Sequence, residues 1–429
     1  MTNARRKILL AMLGNLGPPA AAFITAPILA QSLGVFERGQ VAAGGAPLML
    51  VASAATLGMP EAITYFVARS GGADAKRSIL RATGLVALAG VLATALFIAL
   101  VPLLSGGDPD VEALILISLS MVVPSLVLLV LRGAAAGRGR WGLVTVERMI
   151  GSSVRLVAVA VLALTGTLTI TSATVVISVS MAVGLIAYLA LLRPKRPPHP
   201  EPPPMRELLR YGGRVWFGSL AGILLSRIAQ ILVVPLSNAT ELGLFVIAVS
   251  IAELVLVFNN AVRDVYFAEE SRDPDMKRVA SAARLSTLIT IVLALAVAVV
   301  SIWGIPLLFG PEFGPAVVPT WLLLLAIVLG NPGSLAGAGL SALGRPHLRS
   351  WSLLVALIAN LVALFLLVPQ LGAVGAAVAT AVGNVMAAGL NLWWMRRVGT
   401  DVSAGEFLIP QPGDLRALTS VFAKFRKRG

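Results

Sequence analysis

Twelve apolar runs, each long enough to cross a bilayer, decide what this chain can fold into. They fall near 8–33, 41–68, 79–104, 111–132, 144–165, 169–192, 208–235, 242–267, 281–309, 316–341, 350–369 and 372–395. A hydrocarbon core about 30 Å thick is crossed by about 20 helical residues. Inside lipid a segment must satisfy its own backbone polar groups, so runs of this kind become helices. A soluble domain is excluded: 57% of the 429 residues are hydrophobic and 13% are charged, too few to clothe a soluble surface. The expected fold is an all-α polytopic membrane protein with about twelve transmembrane helices.

One polar stretch divides these runs. Arg193–Met205 reads RPKRPPHPEPPPM, and seven of its residues are proline. Proline lacks the amide donor and clashes with a helical turn, so this segment is expected to be an extended linker. Six runs precede it and six follow. The expected organisation is a membrane bundle over 1–192, a cytoplasmic linker over 193–206, a second bundle over 207–396 and a basic cytoplasmic tail over 397–429.

Charge fixes the expected orientation. The N-terminus, the segments 69–81, 132–140, 193–210, 263–284 and 345–349, and the C-terminus hold about 29 of the 34 Lys and Arg residues. The opposite loops carry Glu37, Asp108, Asp110, Glu112, Glu241 and Glu312, with Arg38 their sole cation. Inside loops are the basic ones, so both termini are expected in the cytoplasm. The net charge of +14 is accounted for in this way, and no nucleic-acid partner is expected. In the tail, Leu415, Leu418, Phe422 and Phe425 recur at near-helical spacing beside Lys424, Arg426, Lys427 and Arg428, a pattern suited to lying on an anionic leaflet.

The two halves repeat. Gly39 corresponds to Gly243, Tyr65-Phe66 to Tyr266-Phe267, Gly137-Arg138 to Gly344-Arg345 and Gly166 to Gly372, at offsets of 204, 201, 207 and 206. Six runs return the chain to the same side, so the repeats are parallel and related by a pseudo-twofold along the membrane normal. Transporters that alternate access use this arrangement. Pro18, Pro19 and Pro27 in the first run and Pro47 and Pro60 in the second are expected to bend those helices.

Charges at membrane depth mark the candidate site, because each needs a partner, water or a ligand. Arg148 and Arg155 lie seven residues apart on the fifth run, nearly on one face and about 10.5 Å apart along the axis. Arg227 lies mid-run in the seventh, followed by Gln230 on the same face. Arg155 and Arg227 are expected to face a cationic cavity suited to phosphate, which the guanidinium fork binds well. Pairing is the competing expectation, Glu147 with a neighbouring arginine and Glu253 with Arg227. Glu61, Glu253 and Asp264 are weaker candidates for ion coupling. Asn15, Asn259, Asn260, Asn360 and Asn384 suit either a cavity lining or interhelical hydrogen bonds.

Catalysis finds no support. Cysteine is absent, and the two histidines, His199 and His347, lie in the linker and in a loop. There is no Walker loop, no HExxH and no nucleophile elbow. The outer loops span only a few residues. No cofactor and no metal site are expected.

Several motifs in order carry a resemblance. They are SLGVFERGQVA and LGMPEAITYFVAR in the first half, then ELLRYGGRVWFGSLAGILLSRIAQILV, ATELGLFVIA, LFGPEFGPAV, GRPHLRSWSLLVALIANL and VPQLGAVGAAVATAVGN. Together, over the chain up to about Arg397, they resemble the polysaccharide flippases of the multidrug/oligosaccharidyl-lipid/polysaccharide superfamily. The resemblance implies two six-helix bundles in a V shape and, in the bacterial inner membrane, export of an oligosaccharide on a polyprenyl diphosphate. It also implies membrane lipid and polysaccharide polymerase or glycosyltransferase machinery as partners. Family members often carry an acid shortly after the arginine of the seventh span, where this chain has Ala229. A drug or cation antiporter of the same superfamily is the alternative, and such a protein is expected to show unpaired acids in its cavity.

Overall fold

The computed structural model describes residues 3–69, 76–191, 205–270, 276–398 and 402–409. The proline-rich linker at 193–204 and the tail from 410 onward lie outside the described residues, as do the expectations attached to them. Among the described residues the chain is helical, with no strand. In order the helices are α1 (Asn3–Ala55), α2 (Met59–Arg69), α3 (Lys76–Ile98), α4 (Val101–Leu104), α5 (Pro109–Leu119), α6 (Val122–Gly137), α7 (Trp141–Leu164) and α8 (Ile170–Val183). Then come α9 (Met205–Leu236), α10 (Ala239–Glu270), α11 (Met276–Phe309), α12 (Val317–Ala342), α13 (Pro346–Arg397) and α14 (Ala404–Leu408).

Among the described residues every expected apolar run is mainly helical, with short turns at 56–58, 99–100 and 120–121. Nine stretches among the described residues are long and apolar enough to cross a membrane. Helix α13 holds two expected runs hinged at the non-helical Gly372 (φ 52°), and α1 holds the first run and the start of the second, hinged at Gly34 (φ 75°). These left-handed conformations suit glycine because a Cβ would collide with the backbone. Helix α7 falls outside the nine because it carries Glu147, Arg148 and Arg155. The prolines of α1 do not break it. Gly34 is its one non-helical residue, and the chain leaves the helix only at Thr56–Gly58, just before Pro60.

The repeat is visible in the turns. Gly139 and Gly344 both take positive φ, and the next residues, Arg140 and Arg345, donate their amides to Ala135 and Leu340. This is one C-terminal helix stop used twice. It moves the correspondence from Gly137-Arg138 to Gly139-Arg140, with an offset of 205. Gly166 and Gly372, and Gly106 and Gly310, also pair as positive-φ glycines.

The chain divides into two compact units. The first is Met1–Ile223 with Gln230–Gly243 and Leu308–Gly310; the second is Leu224–Ala229, Leu244–Leu307 and Pro311–Gly429. In the first, α1 packs along α7 and also meets α5 and α8, while α6 meets α2 and α3. Leu29, Leu33, Val41, Val159 and Ala173 form an apolar cluster where α1, α7 and α8 join. Backbones approach closely where glycine allows it. A Cβ on Gly39 would sit 1.7 Å from the Ala239 carbonyl oxygen, and one on Gly58 would sit 2.1 Å from that of Gly212.

In the second unit α12 lies against α13. Lipid tails are as apolar as leucine, so close packing of small residues, not water exclusion, binds such helices. Gly333, Gly337 and Gly339 of α12 face Ala388, Asn391 and Met395 of α13. A Cβ on Gly333 would lie 2.2 Å from the Ala388 Cα, so Gly333→Ala must push the helices apart. We expect a loss of about 2 kcal/mol, in the range of overpacked cores. Gly84→Ala on α3, which meets nothing within 4 Å, should be neutral. Thermal unfolding of the two variants in detergent checks the contrast. Large apolar side chains such as Leu96 and Leu307 point outward, 71% and 78% exposed, as a lipid-facing surface requires.

Candidate functional site

Two deep arginines find acids on neighbouring helices. On α9, Arg227 forms an ion pair with Glu253 of α10 at 3.0 Å, within the second unit. Their side chains stay 30% and 40% exposed, so the pair is partly wetted. Ala229 next to it is buried, and Gln230, one turn on, is partly buried. The expected pairing of Arg227 is therefore present. A guanidinium carries five donors, and one such contact leaves others free for a ligand.

The second acid is held more completely. Arg132 of α6 donates from Nε and Nη2 to the two carboxylate oxygens of Glu147 on α7, each at 2.9 Å. Tyr188, wholly buried, donates its hydroxyl to the same carboxylate at 3.2 Å. Glu147 is 3% exposed. Its partner is thus Arg132 on another helix and not its sequence neighbour. Arg148 lies within electrostatic reach of this group and has partners of its own. Gly184 closes the pocket, since a Cβ there would come within 2.7 Å of the Glu147 Cγ.

The third cluster was missed by sequence reasoning. Arg38, counted as a loop cation, lies within α1 one turn past the Gly34 hinge and is 6% exposed. Arg155 of α7 is near enough to repel it electrostatically. The Nε of each guanidinium is buried without a hydrogen-bond partner. Among the described residues neither joins an ion pair. The available signal was Arg38's position as the lone cation on the acidic side of the charge alternation.

The remaining candidates separate. Glu61 lies exposed in the first turn of α2. The side chain of Asp264 lies outside the described residues, as do those of Asn15, Asn259 and Asn260. Asn360 is buried and donates to the Ala379 carbonyl at 2.8 Å, an interhelical bond within α13 across its hinge. An apolar groove of about 520 Å³ runs between α12 and the second part of α13, lined by Leu322, Leu325, Leu329, Val382, Val385 and Met386 among others.

An all-helical, multi-pass membrane protein with this helix arrangement has the fold of the MOP-superfamily transporters. Residues 4–267, more than half of the chain, match the model of the family described as polysaccharide biosynthesis protein, and the chain belongs to that family. Among solved structures it is similar to the lipid II flippase MurJ in an inward closed conformation, with TM-score 0.71, 14% identity, and 97% of this chain and 93% of that one covered. It is also similar to an inward-facing multidrug resistance MATE family transporter of the MOP superfamily, with TM-score 0.68, 17% identity, and 90% and 98% covered. A MOP superfamily transporter from Pyrococcus furiosus, whose description notes a binding pocket of reverse polarity, matches with TM-score 0.59, 17% identity, and 91% and 94% covered. Among curated proteins none matches the chain.

Proposed function

We propose that the protein flips a lipid-linked oligosaccharide or polysaccharide precursor, carried on a polyprenyl diphosphate, across the bacterial cytoplasmic membrane by alternating access. The observation that carries this reading is the state of the deep charges in a chain of the polysaccharide biosynthesis family. Glu147 and Glu253 are taken by arginines, and Glu61 lies exposed at the start of α2. Among the described residues neither Arg38 nor Arg155 joins an ion pair with an acid. The surplus at depth is cationic, as an anionic head group needs.

Arg227, Arg155 and Arg148, with Gln230, are the residues we assign to the diphosphate. Arginine suits this task because its planar fork meets two phosphate oxygens at once. The apolar groove along α12 and α13 has a lining that suits an isoprenoid tail. In this reading the protein is a transporter that works beside polymerase or glycosyltransferase machinery and makes no glycosidic bond itself. We assign ion coupling, where it occurs, to Glu61 or Asp264; Glu253, the other candidate read from the sequence, is held by Arg227.

Drug or cation antiport is the second reading, and the fold shared with MATE transporters favours it. A cation exporter needs an acid free to exchange its proton for the cargo. The arginine partners of Glu147 and Glu253 speak against that role. Deletion in the source bacterium should therefore deplete surface polysaccharide and leave resistance to cationic dyes unchanged. Purified protein in vesicles should move a lipid-linked sugar to the opposite leaflet. Dye sensitivity with normal polysaccharide would favour the antiporter, and elongation of the sugar by the purified protein would make it an enzyme.

A further inference from the structure

We propose, on the flippase reading above, that the start of α9 closes on the α1–α2 turn as a reversible clasp, which parts to admit cargo. The contact lies wholly inside the first unit, which takes in α9 as far as Ile223. Its centre is a meeting of backbones at two glycines. A Cβ on Gly58 would sit 2.1 Å from the Gly212 carbonyl oxygen, and one on Gly212 would sit 2.6 Å from that of Leu57. One turn further along α9, Trp216 donates its indole N–H to the Ala54 carbonyl at 2.9 Å. That carbonyl belongs to the last turn of α1, where such groups have no partner within the helix. Beside the glycines, the Tyr211 ring stacks on Tyr65 of α2, with centroids 4.4 Å apart, and meets Phe66 edge-on at 6.1 Å.

Three features distinguish this contact from fixed core packing. Tyr65, Phe66, Tyr211 and Trp216 are only partly buried, so parting them does not open a sealed core. Among the described residues no ion pair joins α2 to α9. Glu61 and Arg69 on α2 are exposed, as are Glu207 and Arg210 on α9, and Arg69 lies over the Tyr65 ring of its own helix. The turn is also strained where α9 presses on it. Leu57 has φ 50°, the one positive value outside glycine among the described residues. A leucine is disfavoured there, and strain of this kind persists only while surrounding contacts hold it. Release of α9 lets the turn relax, which offsets part of the contact that is lost.

The place of the clasp gives its role. It lies between the end of α2, which carries Arg69, and the start of α9, which carries Arg206 and Arg210. The charge pattern assigns these ends to the cytoplasm. Arg227, assigned to the cargo diphosphate, is on the same helix 15 residues past Gly212, about 22 Å further along. A head group of sugars and phosphates cannot pass between stacked rings. The start of α9 must swing from α2 to admit it and return before the opposite side opens.

Two measurements on the full-length protein test the clasp, and the first needs no cargo. Leu208 is wholly buried and lies one turn before Gly212 on the same face of α9. The chain has no cysteine, so Leu208→Cys introduces the only thiol. In detergent it should react slowly with a bulky maleimide, and adding Tyr211→Ala and Trp216→Ala should speed the reaction about tenfold or more. Leu114→Cys, buried elsewhere in the same unit, should keep its rate when the same two changes are added. An unchanged rate at Leu208→Cys, or equal acceleration at Leu114→Cys, would overturn the proposal. For the second measurement the two thiols of Tyr65→Cys/Tyr211→Cys are joined in vesicles by a short bis-methanethiosulfonate. The joined protein should lose translocation of a lipid-linked sugar about tenfold or more and regain it on reduction. Joined protein that transports at the unjoined rate overturns the clasp. If the parent protein moves no sugar at all, the flippase reading fails instead, and the labelling rates still decide whether the clasp opens.

Discussion

Arg227→Ala should lower translocation of a lipid-linked sugar by tenfold or more while protein abundance stays near that of the parent. The expectation rests on the partial exposure of the Arg227–Glu253 pair, at 30% and 40%. Pairs with that much access to solvent contribute about 0–1 kcal/mol, so losing one partner costs little stability. A tenfold loss of transport corresponds to about 1.4 kcal/mol at the head group, a modest share of what an arginine–phosphate contact supplies. Arg227→Lys should remain impaired, since an ammonium cannot reproduce the fork. Glu253→Gln leaves Arg227 in place and should preserve transport. The double variant Arg227→Ala/Glu253→Gln decides the matter. Under the cargo-binding role it transports as poorly as Arg227→Ala. Restored transport, with restored abundance, would show that the pair is structural and leave Arg155 and Arg148 as the remaining arginines for the head group.

The sequence made most of the fold legible because lipid narrows the choices. A run of 20 or more apolar residues in lipid becomes helix, and each of the twelve expected runs is mainly helical among the described residues, with short turns inside three of them. The joints were harder to read. Residues 34–40 look like a loop because they hold Gly34, Glu37, Arg38 and Gly39, yet the helix resumes directly after Gly34. That one hinge turns Arg38 from a loop cation into a buried side chain. The prolines of α1 are expected to bend it, and helical dihedrals continue through all four of them. A proline leaves one carbonyl unbonded, a loss that packing against a neighbouring helix can absorb. Pairing between Arg227 and Glu253 was legible because each is mid-run on successive helices. The partner of Glu147 was not, because adjacency favours Arg148 and only the packing of α6 on α7 presents Arg132.

The pair that was not legible should have the larger effect on stability. Arg132 and Glu147 share the chemistry of Arg227 and Glu253 but not their surroundings. The Glu147 side chain is 4% exposed, and its carboxylate is met by two Arg132 donors and the Tyr188 hydroxyl. Arg132→Met removes the guanidinium and strands the carboxylate, which should cost about 3–5 kcal/mol. Tyr188→Phe removes one hydrogen bond to a charged acceptor and should cost about 1.5–3 kcal/mol. The double variant Arg132→Met/Glu147→Leu should recover most of the loss, because apolar groups of similar size often replace a buried pair without penalty. Tm values in detergent for the parent, the three variants and Glu147→Leu alone measure the ordering. The decisive comparison is between Arg132→Met and its double variant. If the double is no more stable than Arg132→Met, the stranded charge is not the source of the loss, and the contacts of the Arg132 side chain with α6 and α7 must be.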